Sequence, residues 1–573
     1  MSLCSWIVLV SLSSFSSVLA QKNPLSSPLG PVVDIGYAAF AGNSTSPAGQ
    51  ANTSVTFFGG IPFAQPPLGN LRWRAPQMLD ESGMASTVTD ARSWGPACIQ
   101  FPATVGIGTE DCLKLNVWKP TNASEGDNLP VIGGGFYAGS PQGFPLYDWV
   151  DQHPTGLVGV SIAYRLGMMG FFGGPTIPGF TSAPFTDSSE SSSQDLDPQV
   201  AHMNVGLLDQ RAGLEWVQRH ITKFGGDPDN VSIYGESAGG ASMVMQVTAY
   251  GGTKPVPFKR VTAESIGFNT RTDAEIELIF ANATEFIGCP ASGPDTLPCM
   301  RNASVGAIVS TINRTPEGFF SPVPEGPNPN AFMPDLPSRL IRSGNFSTVE
   351  FNGGHCTNDG TRFAGGTPDQ FQTPGDVKRM VLSGISNETQ DQALALYPIG
   401  PEFPTEWDVA WNIAGQEVFA CMDWLLAEAL VAKGVENVFS YRWNAPDTVL
   451  YNANPYLGAM HTSDLYYLFD GRSATFCSSI NAGNTFAPFN TSEAVLAHEA
   501  IAFWTSFGTS GDPSSSKLAI SPSWEKFVSE NGQMQFTRGN DSMTASGMET
   551  IPQDEIQRCK FWMSEEVTQQ IRV

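Results

Sequence analysis

Charge is scarce in this 573-residue chain. Asp, Glu, Lys and Arg make up 15% of it, and the basic residues number 30 against 55 acidic, for a net charge of −25. An excess of anions argues against nucleic acid and anionic membrane surfaces as partners, because both are bound through clustered Lys and Arg. Long apolar runs are also missing. Past the amino terminus no stretch reaches the ~18 residues of a membrane-crossing helix, so stable membrane insertion is not expected. There is no HExxH, no CxxC pair, no Walker loop and no dinucleotide glycine fingerprint, so neither a metal nor a cofactor is implied. Histidine is rare, with six in all. Any chemistry that needs an imidazole must choose among those six.

What is present suits a compact enzyme. Apolar residues make up 41% of the chain and aromatics 11%, enough for a large core. No linker-like stretch divides residues 21 to 573, which reads as a single catalytic domain with insertions. Residues 5 to 19 form a short apolar, Ser-rich stretch without Lys or Arg before it. It ends in Val18-Leu19-Ala20, the small-residue pattern of a signal peptide cut before Gln21. Removing Cys4 with that segment leaves an even set of cysteines, able to pair in an oxidising compartment. Sequons at Asn43, Asn52, Asn122, Asn230, Asn282, Asn302, Asn313, Asn345, Asn387, Asn490 and Asn540 fit a secreted, extracellular glycoprotein. Residues 186 to 197 are polar and of low complexity, a solvated loop.

The chemistry concentrates at Gly235-Glu236-Ser237-Ala238-Gly239. A strand-length run from Val231 to Tyr234 leads into it and a helix-compatible ASMVMQV follows it. That context makes Ser237 the tip of a nucleophile elbow at the carboxyl edge of a parallel sheet, with glycines where side chains would collide. A serine nucleophile needs a base for its proton and an acid to fix the base's tautomer.

Five ordered blocks carry a resemblance to a known family: FFGGIPFAQPPLGNLRWRAP (57 to 76), EDCLKLNVWKP (110 to 120), GGGF (133 to 136), VSIAYRLGMMGFF (160 to 172) and GLLDQRAGLEWVQRHITKFGG (206 to 226). From about Phe57 onward the chain resembles the type-B carboxylesterase and lipase family, which includes the cholinesterases. The resemblance implies an α/β-hydrolase fold, a large mostly parallel sheet flanked by helices with helical insertions. It implies His461, in AMHTSDLYYLFD, as the base, and Asp359, in NDGT, as the acid at a place where most members carry Glu. Asp is one methylene shorter, so its loop must sit closer to His461. His355 is the rival base because it lies near that acid. Backbone N–H groups of Gly134, Gly135 and Ala238 are the implied oxyanion donors. Arg72 with Glu110, and Arg165 with Asp209, match ion pairs that brace the family scaffold. Lys114 stands where the family usually has an aromatic or Thr. The apolar run before Gly133 is about four residues shorter than in relatives. Either the upstream segment slides in to compensate, or the core is perturbed.

The matching Cys98 to Cys112 loop of relatives is closed by a disulfide and overhangs the site. Here it spans IQFPATVGIGTED, with one aromatic, Phe101, and no tryptophan for choline recognition. An open site without a long amphipathic flap follows. Cys289 and Cys299 bracket a local loop that suits a bridge. Cys421 and Cys559 resemble the partners of a long-range cholinesterase bridge, and elimination then pairs Cys356 with Cys477. The expected activity is a serine carboxylic-ester hydrolase acting through an acyl-enzyme on short, medium or bulky esters. A triacylglycerol or sterol-ester lipase is the nearest alternative, and a non-catalytic cholinesterase-like binding protein the more distant one.

Overall fold

The computed structural model describes residues 25–44, 54–134, 144–177, 201–267, 270–316, 319–469, 489–528 and 532–573. The signal-peptide segment, the Asn52 sequon, the 186 to 197 loop, Gly135 and Cys477 lie outside them.

Thirteen strands are named in chain order. β1 (Val32–Asp34), β2 (Ala39–Ala41) and β4 (Val88–Asp90) form a small sheet. The large sheet holds β3 (Val55–Pro62), β5 (Lys114–Pro120), β6 (Leu129–Gly134), β7 (Val158–Ile162), β8 (Gly226–Glu236), β9 (Arg260–Glu264), β10 (Glu350–Cys356), β11 (Val438–Trp443), β12 (Gln533–Phe536) and β13 (Gly547–Glu549). Their order is β13-β12-β11-β10-β9-β8-β6-β7-β5-β3. The run from β7 to β12 is parallel, and β3, β5 and β13 join antiparallel at the edges. Parallel neighbours need crossover helices on the faces, which is why the sheet is buried on both sides.

The period of two along β8 sorts its side chains. Val231 and Ile233 enter one core, while Tyr234 enters the other, where it meets helix Thr491–Ser510. Ser232 Oγ donates to Gly508 O at 2.7 Å and the Tyr234 hydroxyl to Trp504 O at 2.9 Å, so polar groups on that face anchor the helix to the sheet. Glu236, two residues on, continues the same face.

The short strand before Gly133 pairs with both of its neighbours. β6 pairs with β7 from Val131 to Gly134, but on the β8 side Leu129 opposes Gly226 and Val131 opposes Val231. β8 bulges between those two pairs, and Gly134 pairs with Tyr234 toward the carboxyl edge.

Disulfides join Cys98 to Cys112, Cys289 to Cys299 and Cys421 to Cys559. The expected partner of Cys356, Cys477, lies outside the described residues, and among the described residues Cys356 makes no disulfide. Strand alternation turns it into the aromatic core around Tyr441 and Trp443, where it is 1% exposed with no second described sulfur to bond. The Cys98 to Cys112 loop is pinned from outside by Asn313. Its amide accepts from Ala103 N at 2.8 Å and donates to Ala103 O at 2.6 Å. The loop presents Val105 and Ile107 to solvent and tucks Phe101 against the core.

Candidate active site

Ser237 occupies the turn between β8 and helix Ala238–Thr248 with φ 59° and ψ −122°, a conformation that costs a non-glycine residue about 1–3 kcal/mol. The surroundings enforce it. Ser237 N donates to Glu264 O at 2.9 Å, and its carbonyl accepts from Ala241 N at 2.9 Å and Gly267 N at 3.2 Å. A Cβ on Gly235 would lie 2.4 Å from the Gly239 carbonyl carbon, so only glycine permits the turn. Ala238 is the first helical residue, where an N–H has no intrahelical acceptor and the helix dipole favours negative charge.

Asp359 and His461 are brought together by two loops stitched side by side. Asn358 N donates to Ala459 O and Ala459 N to Asn358 Oδ1, each at 2.9 Å, while Thr361 Oγ1 donates to Leu457 O at 2.9 Å. A Cβ on Gly458 would meet Asn358 Oδ1 at 2.3 Å, which lets the loops close up. The shorter acid therefore still reaches: His461 Nδ1 lies 2.8 Å from Asp359 Oδ1. Asp359 Oδ2 accepts from Ser265 Oγ and from Cys356 N, both at 2.9 Å. With Nδ1–H held by the carboxylate, the Nε2 lone pair is free. Nε2 is buried without a hydrogen-bond partner and sits 3.3 Å from Oε1 of Glu236, the residue before Ser237. The imidazole thus addresses the elbow.

His355 is committed elsewhere. Its Nδ1 pairs with Asp423 Oδ2 at 3.0 Å, and it lines a cavity of about 230 Å3 with Arg442 and Arg558. Arg72 grips Glu110 through two bonds of 2.6 and 2.8 Å, and Arg165 grips Asp209 through two of 2.7 Å. Both pairs are buried braces with no substrate-facing atom implied. Lys114 pairs with Asp111 at the loop's edge.

Several residues at the site escaped the sequence. Glu236 and Glu264 are directly opposite on β8 and β9, both buried. Burial, then the nearby acidic groups, pushes both carboxyls well above the usual range. Trp504 Nε1 donates to Glu264. Asp464, three residues past His461, is raised to about 6 by burial and by Asp359. Ser265, Phe363 and Phe419 complete the surroundings: the two phenyl rings lie 5.0 and 4.4 Å from the imidazole. Glu236 could be found within the elbow motif itself. Ser265 and Phe419 carry no local signal.

These buried acids set a pH dependence. Asp464 at about 6 and Glu325, raised to about 7 mainly by burial, hold protons in the native state that the unfolded chain has released above about pH 4.5. Between pH 5 and 8 the unfolded chain therefore binds fewer protons than the native one, and stability falls as pH rises. Thermal unfolding is expected to show a midpoint several degrees higher at pH 5 than at pH 8. A flat or rising midpoint over that interval contradicts the assignment.

An elbow serine, a buried imidazole 3.3 Å from the residue before it and a carboxylate on that imidazole, all at the carboxyl edge of a parallel sheet, define an α/β hydrolase. The comparisons agree. The carboxylesterase family model matches residues 30–179 and 193–562. Lipase 1 of Geotrichum candidum is 31% identical over 493 residues, covering 75% of this chain and 83% of its own. Secreted lipase 1 of Botryotinia fuckeliana is 27% identical over 552 residues, covering 84% and 88%. The crystal structure of Aspergillus niger EstA superposes with a TM-score of 0.77 at 26% identity, over 95% of this chain and 99% of that one. The chain belongs to the carboxylesterase family, and it is a carboxylic-ester hydrolase.

Proposed function

We propose that the protein is a secreted serine esterase that works through an acyl-enzyme, with residues 21 to 573 as one catalytic domain. Ser237 Oγ attacks the ester carbonyl while His461 Nε2 takes its proton, and Asp359 orients and stabilises the resulting imidazolium. The N–H groups of Gly134, Gly135 and Ala238 receive the oxyanion. The alcohol leaves with the proton from His461, and water then repeats the cycle on the acyl-enzyme. The observation that carries this reading is the 2.8 Å bond from His461 to Asp359 on an imidazole whose Nε2 lies 3.3 Å from Oε1 of Glu236, the residue before Ser237. Secretion is supported by relatives named as secreted lipases. Among the described residues no helix is long and apolar enough to cross a membrane.

The substrate class follows from the loop closed by Cys98 and Cys112. An interfacial flap must be long and amphipathic enough to cover a site and open on lipid, and this loop is short, bridged and clasped by Asn313. Rate is therefore expected to follow dissolved ester concentration smoothly, with preference for short or medium acyl chains. A lipase reading is favoured by the names of the relatives and by the exposed Val105 and Ile107. Tributyrin hydrolysis across its solubility limit decides: a smooth curve supports the esterase, and a sharp rise where droplets appear overturns it.

A further inference from the structure

Between helix Glu406–Gly415 and helix Cys421–Ala432 the chain makes a five-residue π-helical turn, Gln416–Ala420. Such a turn sacrifices hydrogen-bond geometry and recurs at functional sites, where it re-aims a side chain. The side chain carried toward the site here is Phe419. It is 1% exposed, and its ring centroid lies 4.4 Å from that of the His461 imidazole with the planes inclined by 37°. Its other flank rests on Gly267, where a Cβ would stand 2.3 Å from Phe419 Cε1, so that position admits no side chain while the ring stays put. Gly267 N in turn donates to the carbonyl of Ser237 at 3.2 Å. Phe363 closes a third side, 4.7 Å from Phe419 and edge-on to the imidazole at 5.0 Å. The Phe419 ring is thus wedged between the segment holding the elbow and the imidazole that serves it.

We infer that Phe419 is a positioning residue for ester hydrolysis, its ring holding the His461 imidazole in place against Asp359 and stabilising the imidazolium that forms as the ester is attacked. This rests on the triad proposed above. A cation within ~6 Å of an aromatic centroid is drawn to the ring's quadrupole, and more strongly where water is excluded. The acidic groups around the imidazole are Asp359 on Nδ1, Glu236 near Nε2, Glu264 beside Glu236 and Asp464 on the following helix. Burial pushes Glu236 and Glu264 well above their ordinary range, so these two favour the neutral form at mildly acidic pH. With few negative charges left beside it, the imidazolium gains from an aromatic face.

Phe419→Leu keeps apolar bulk and removes the ring. With active sites counted by phosphonate titration, kcat is expected to fall about tenfold with KM little changed, and the acid limb of kcat/KM to move about half a unit to lower pH. The direction is diagnostic, because a less favoured imidazolium leaves the free base present in more acid solution while slowing the step that charges it. Phe419→Tyr retains a ring and should keep the wild-type limb. A role limited to packing lowers the melting temperature and leaves the limb where it was, and that result overturns the inference. Should the Leu variant not fold, Gly267→Ala displaces the ring from the other side and is held to the same shift. Failure of the triad would show differently, as activity surviving in Ser237→Ala.

Discussion

Ser237→Ala is expected to lower kcat for ester hydrolysis by about 10³- to 10⁶-fold while leaving the thermal transition nearly unchanged. The two halves of that expectation have separate causes. Alanine keeps the Cβ and therefore the same left-handed strain at φ 59°. The contacts that enforce the turn are made by backbone: Ser237 N to Glu264 O, and Ala241 N and Gly267 N to Ser237 O. None involves the hydroxyl, so the fold loses little. The chemistry loses its nucleophile and keeps only what binding and the oxyanion donors supply. Purified variant and wild type compared on p-nitrophenyl butyrate check this, and more than a tenth of the activity remaining contradicts it.

Asp359→Asn is expected to cost on the order of 10⁴ in kcat, through the tautomer of His461. Asp359 Oδ2 accepts from Cys356 N at 2.9 Å, a backbone donor that cannot turn away. An amide placed there must offer its oxygen to that N–H, which leaves its NH2 facing His461 Nδ1, now 2.8 Å from Oδ1. Nδ1 then has to accept, the proton moves to Nε2, and no lone pair remains for Ser237. The local fold should survive, since Asn358, Thr361 and Gly458 hold the two loops together without the carboxylate. Near wild-type kcat in this variant would remove Asp359 from the mechanism.

How much of this was legible in the sequence depended on whether a feature was local. The Ser237 elbow could be read because a strand, a glycine-flanked serine and a helix follow one another in one short segment. The large, mostly parallel sheet followed from the resemblance across ordered blocks, while its strand order is set by pairings between segments distant in sequence. The short β6 was visible, but its register was not, because the strand it pairs with out of step, β8, lies far along the chain. The partner of Cys356 could not be read from an even cysteine count, which says nothing about which face of a strand a thiol occupies. Glu264 and Phe419 were silent for the same reason: Glu264 matters because parallel register sets it against Glu236, and Phe419 because a π-helical turn swings it onto His461.

The most direct test is covalent. A p-nitrophenyl alkylphosphonate mimics the tetrahedral intermediate, and its phosphorus is attacked by an activated serine with release of p-nitrophenolate. Titrating the protein while following the release, then mapping the adduct by peptide mass spectrometry, should give one equivalent of nitrophenolate per chain, complete loss of esterase activity, and the phosphonyl group on Ser237. Stoichiometric labelling of another residue, or full activity in protein labelled at Ser237, would contradict Ser237 as the nucleophile.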